Sequence, residues 1–138
     1  MNSQFRAFAL LCGLAASAGA LAAPSAALLE RYAAEARATD PAFAGFSAAR
    51  GEALHRTRHG LGKPDTPACT SCHGENARSA GQTRTGKAIE PMAVSVSATR
   101  YGDPAKVEKW FKRNCNEVLG RECNAREKGD WLTFMLGQ

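Results

Sequence analysis

The stretch "PACTSCHG", Pro67 to Gly74, sets two cysteines three residues apart with a histidine directly behind the second. On one helical turn, thiols at i and i+3 leave from the same side, and each can add to one vinyl group of a haem. The adjacent histidine then reaches the iron from one face. Other uses of C-x-x-C need contexts that this chain lacks. A thioredoxin-like pair sits in a strand–helix–strand pattern, and a zinc site needs a second ligand pair at suitable spacing. Cys69 and Cys72 are therefore read as thioether attachment points for one covalent haem c, and His73 as its proximal iron ligand.

Outward from the motif, the chain reads as helices plus one long irregular segment. "SAALLERYAAEARA" (Ser25–Ala38) places Leu28, Leu29, Tyr32, Ala33 and Ala36 at helical spacing, with Ser25 as a cap and "TDP" at Thr39–Pro41 as a stop. A second helix is expected from Ser47 to His59, ending in the Gly60–Gly62 loop ahead of Pro64. Gly74 to Gly102 has no sustained periodicity and suits a loop wrapped around a bound group. Asp103 then caps a third helix, with Pro104 at its first position and Gly120 as its stop. Asn124, with Glu127 three residues on, forms a capping box for the last helix, which carries Trp131, Leu132, Phe134, Met135 and Leu136. No segment reads as a strand. The fold class is all-α, a class I cytochrome c-like fold around one haem. Four-helix cytochromes c′ carry the motif near the C-terminus, whereas here a long stretch follows it.

The N-terminus is a different kind of sequence. "MNSQFRAFALLCGLAASAGALAA" has one positive charge, an apolar run, and Ala20 and Ala22 in A-x-A spacing. This is the pattern of a cleaved signal peptide, and its apolar core is too short and too rich in Ala and Gly for a membrane span. Residues 1–22 are read as that signal and 23–138 as a single haem domain, exported to the periplasm and not membrane-embedded after cleavage. Cys12 leaves with the signal, so four cysteines remain: Cys69, Cys72, Cys115 and Cys123. In an oxidising compartment, thiols without another use become disulfides. The formal net charge is +5, or +4 without Arg6. The basic residues are dispersed and not interleaved with aromatics, which argues against nucleic acid and favours an acidic protein partner.

The residue opposite His73 decides what the iron does. A firm His/Met pair gives a closed electron carrier, and a weak or missing ligand leaves room for a gas. Met92, in "IEPMAVSV", lies only 19 residues beyond His73 and is read as a packing methionine. Met135 falls on the apolar face of the last helix and reads as core. His55 and His59, four apart beside Arg56 and Arg58, read as a solvated face, with a bis-histidine haem as the alternative. Asn114 is the odd residue. At 100° per residue it falls within the stripe of Val107, Trp110, Phe111 and Val118. An unpartnered amide there costs about 1–3 kcal/mol, so it needs either a core partner or the iron. A haem pocket favours the iron.

Three runs carry a family resemblance: "PDTPACTSCHG", "TRTGKAIEPMAVSV" and "KVEKWFKRNCNEVLGREC". Together they resemble the sphaeroides haem protein (SHP) type of oxygen-binding cytochrome c, from about Gly60 to Gln138. Val94 departs from the proline common after "EPMA" in that family. The resemblance implies a c-type haem with His73 proximal and Asn114 distal, and a disulfide between Cys115 and Cys123 beside the distal ligand. It also implies electrons from a dihaem cytochrome c and ultimately a membrane cytochrome b. An amide oxygen is a weak, hard ligand, adequate for ferric iron and poor for ferrous. Reduction should therefore release Asn114 and open the iron to O₂, NO or CO. Two alternatives stay open: a plain His73/Met92 electron carrier, and a peroxidase or NO-detoxifying enzyme on the same iron. Lys63, Arg84, Lys87 and Arg100 flank the haem loop and are read as partner-docking or propionate-pairing residues.

Overall fold

Helix α1 (Ala23–Thr39) opens the computed structural model, which describes residues 23–138; the signal peptide read over 1–22 lies outside the described residues. Tyr32, Leu28 and Ala36 turn one side of α1 into the core, as their spacing predicts. The helix starts before Ser25, so that residue lies inside it instead of capping it. Helix α2 (Ala48–Arg56) is capped by the Ser47 hydroxyl, which accepts from Arg50 N, and it stops short of His59. Helix α3 (Thr70–His73) is the single turn of the motif.

The segment after the motif contains what the sequence did not signal, a two-stranded antiparallel hairpin. Strand β1 (Gly81–Gln82) pairs with β2 (Ala88–Ile89), Gly81 opposite Ile89 and Gln82 opposite Ala88. A ladder of two pairs is too short to leave an alternating pattern. Helix α4 (Pro104–Leu119) has Asp103 as its N-cap, Pro104 in its first turn, and Gly120 in the left-handed region at φ 70° as its stop. Helix α5 (Ala125–Leu136) begins with the complete Asn124/Glu127 capping box.

α5 is the central element: α1 and α2 both pack on it, and its Leu132 and Met135 are fully buried. α2 approaches closely because Gly51 sits against the Asp130 carbonyl, where a methyl group would overlap it. Val107, Phe111, Cys115, Val118 and Leu119 bring α4 into the same core, which Met92, Ala93 and Tyr101 of the long segment complete. No helix of the described residues is long and apolar enough to cross a membrane.

Candidate functional site

Residues Cys69 to His73 form one helical turn, closed by His73 N donating to the Cys69 carbonyl at 3.0 Å. Gly74, at φ 71°, turns the chain away behind it. Both thiols are free and half-buried. Burial pushes Cys69 up to about 11, and burial together with the Glu117 charge raises Cys72. Among the described residues, no cluster of three or more His, Cys, Asp or Glu forms around this pair. β1 lies directly on the motif, since a methyl group on Gly81 would overlap the Cys72 carbonyl. An open cleft of about 650 Å³ runs along Cys72, lined also by Thr70, Gln82, Thr83 and Arg84.

The His73 imidazole is held neutral. Burial, then the charges of His55 and Arg100, push it down to about 4. Its Nδ1 is buried without a hydrogen-bond partner. A neutral ring with a free lone pair, next to two unpaired thiols on one turn, is the donor set that a covalent haem requires. The residues present fit the group.

His55 is not on a solvated face. It is 1% exposed, with its ring centroid 6.5 Å from that of His73. Trp131 Nε1 can only donate, so His55 Nδ1 accepts at 3.2 Å and Nε2 carries the proton, donating to the Gly74 carbonyl at 3.2 Å. Both nitrogens are used. His55 is a strut between α5 and the motif. His59 is half-buried, with Nε2 at 3.2 Å from the Leu54 carbonyl. Met92 and Met135 are buried in the core, and Tyr101 donates to the Met92 carbonyl at 2.7 Å.

The loop leading into the motif is stitched to the end of α4. Lys63 N donates to the Glu117 carbonyl at 2.7 Å, and the Thr66 hydroxyl donates to Glu117 Oε1 at 3.2 Å. Gly62 and Gly120 permit this, since a methyl group on either would meet backbone across the gap. Glu117 follows Asn114 by three residues and so shares its side of the helix. Asn114 is half-buried, one turn before the residue that holds this loop, and no side-chain hydrogen bond among the described residues involves it. Trp110, one turn earlier, is 43% exposed and not packed in the core as its position in the stripe predicts. It lies at the stripe's edge, and Phe111 takes the inward place beside it. Behind Asn114, Cys115 and Cys123 form a disulfide with Cα atoms 5.5 Å apart.

An all-α domain with one C-x-x-C-H turn, a neutral buried histidine and no second such motif is a monohaem c-type cytochrome. Comparison with known proteins narrows the class. Residues 41–135 match a family described as a domain of unknown function (DUF1924). The chain is 49% identical over 110 residues to the cytochrome c-type protein SHP of Cereibacter sphaeroides, covering 72% of this chain and 85% of the relative. It is 32% identical over 110 residues to cytochrome c'' of Methylophilus methylotrophus, covering 79% and 76%. Among solved structures, oxidised SHP, an oxygen-binding cytochrome c, superposes with a TM-score of 0.77 at 47% identity, covering 83% of this chain and 96% of that one. Oxidised cytochrome c'' gives 0.72 at 29% identity, covering 84% and 95%. The chain belongs to the SHP family of c-type cytochromes, and its cofactor is covalently bound haem c.

Proposed function

We propose that this chain is an exported, periplasmic cytochrome that binds diatomic gases under redox control. In this reading residues 1–22 are removed and 23–138 form the haem domain. Cys69 and Cys72 hold the haem by thioethers, His73 is the proximal ligand and Asn114 the distal ligand of ferric iron. The haem supplies a one-electron couple and one coordination position that can exchange. Asn114 Oδ1, a neutral, hard donor, would suit ferric iron and would be released on reduction. Its NH₂ group can then donate a hydrogen bond to bound O₂, NO or CO. The Cys115–Cys123 bridge fixes the end of the helix from which Asn114 works. Electrons would come from a dihaem cytochrome c, fed by a membrane cytochrome b.

The observation that carries this reading is the half-buried Asn114 amide, which has no hydrogen-bond partner among the described residues and lies one turn before Glu117, the residue that holds the loop leading into the motif. The two-sided hydrogen bonding of His55 supports it against a bis-histidine haem. The SHP relative is an oxygen-binding cytochrome c, and a solution structure of cytochrome c'' concerns haem-ligand detachment. The test is optical. The reduced protein should show a high-spin, five-coordinate spectrum that CO converts to a low-spin one, and Asn114→Ala should lose the low-spin ferric bands. A sharp low-spin reduced spectrum indifferent to CO would return Met92 to the iron.

A further inference from the structure

Of the four basic residues that flank the haem loop in sequence, Lys87 is exposed with no ion pair among the described residues, and the other three each have a carboxylate partner. Lys63 lies 3.8 Å from Glu117, Arg84 2.7 Å from Asp65, and Arg100 3.9 Å from Glu90. On α4, Lys112 pairs with Glu122 at 3.3 Å. Lys106, Lys109 and Arg113, all exposed, have no ion pair among the described residues. At i, i+3 and i+7 they form one stripe, with Trp110 in its middle. The Arg113 guanidinium sits 5.5 Å over the Trp110 ring. The acid at this end is Asp103, whose carboxylate accepts from Lys106 N as the helix cap. Glu108 is held by Arg31 and Lys128, and Glu117 by Lys63 and Thr66.

This stripe borders the site. Trp110 precedes Asn114 by one turn, and Glu117, one turn further, lies within electrostatic range of Cys72. Exposed Trp and Arg are the residue types that anchor protein interfaces, and unpaired lysines around them steer an oppositely charged partner.

We propose that Lys106, Lys109, Trp110 and Arg113 form the docking surface for an acidic electron-transfer protein, which reduces the iron across this side of α4. The partner presents carboxylates to the three cations and an apolar centre to Trp110. The proposal rests on the reading of this chain as a redox cytochrome. In the step itself one electron would pass from the partner's reduced cofactor to the ferric iron with no atom transferred between the proteins, and release of Asn114 would follow the electron.

The test uses reduced flavodoxin, an acidic flavoprotein, as the probe donor to the ferric holoprotein. Its bimolecular rate should fall with added salt. In the double variant Lys106→Glu, Lys109→Glu the rate should drop about tenfold at low ionic strength, with a flatter salt dependence. Reduction by neutral reduced lumiflavin should stay unchanged. The control Arg58→Glu, Arg78→Glu reverses two other exposed charges and should keep most of the wild-type rate. Equal losses in both double variants would overturn the proposal, because net charge alone would then explain them. So would no loss in the first, or a wild-type dimer at low salt that the first variant dissolves. Ferric spectra and CO binding of each variant are recorded alongside. A wild type that ignores CO refutes the Asn114 reading and leaves the docking result standing.

Discussion

His55 sits in a polar run of sequence with Glu52, Arg56, Arg58 and His59, and nothing local marks it as buried. Its partner Trp131 is 76 residues away, so the bond that decides its role is invisible until the fold is formed. Asn114 is the opposite case. Helical periodicity singles it out within its own stretch, because an amide among apolar residues requires an explanation. The same periodicity predicts an inward Trp110, but a residue at the stripe's edge can turn either way, and in the fold it faces solvent. A buried strut should be costly to remove. His55→Leu leaves Trp131 Nε1 and the Gly74 carbonyl without partners, and should lower the stability of the holoprotein by about 2–4 kcal/mol in denaturant unfolding. Its ferric spectrum should keep the wild-type form, because both His55 ring nitrogens are engaged by Trp131 and Gly74; a low-to-high-spin change would contradict the strut.

Some helix ends are written locally: the Asp103 and Asn124 caps and the Gly120 stop lie where side-chain and glycine chemistry puts them, whereas Ser25 falls inside α1 and α2 ends at Arg56, short of His59. How the elements meet was not legible, because close approach depends on what lies across the gap. Gly51 is a poor helix residue by propensity, and alanine would favour the isolated helix by about 1 kcal/mol. In the fold its missing methyl lets α2 rest on the Asp130 backbone. Gly51→Ala should therefore destabilise by about 1–3 kcal/mol, the reverse of its propensity, and a higher melting temperature would refute the close contact. The disulfide acts on an element too, closing an eight-residue separation around the end of α4. Cys115→Ala with Cys123→Ala should cost about 2–3 kcal/mol in the chain-entropy model. CO binding to the reduced variant, followed by flash photolysis, then reads whether a frayed helix end changes rebinding at the iron.

The motif and its resemblance fixed the class of the whole molecule from the part after Gly60, while the matched family reaches back to residue 41 and so includes α2. Beside the apolar face that Leu28, Tyr32 and Ala36 bury, a charged cluster with no sequence signature also ties the N-terminal helix to the rest. Glu108 of α4 receives hydrogen bonds from Arg31 and Tyr32 of α1 and from Lys128 of α5, the last at 2.8 Å. Burial works against its charged form, but the bonds from Lys128 and Tyr32 and the positive charges of Lys128 and Arg31 outweigh it, so its pKa lies below the ordinary 4.5. The sign follows. A carboxyl with a depressed folded-state pKa holds fewer protons folded than unfolded, so its contribution is complete above 4.5 and is lost as pH falls through the folded value. Acid should thus loosen the joint between α1, α4 and α5 before neutral-pH stability is touched. Glu108→Gln keeps the shape but removes the titration. Unfolding midpoints measured from pH 7 to pH 3 should start lower in this variant and fall less steeply below pH 4.5 than in the wild type. Parallel curves would show that other carboxylates govern the acid transition. Glu127, depressed by its Arg121 and Asn124 hydrogen bonds after burial opposes them, is the next to replace.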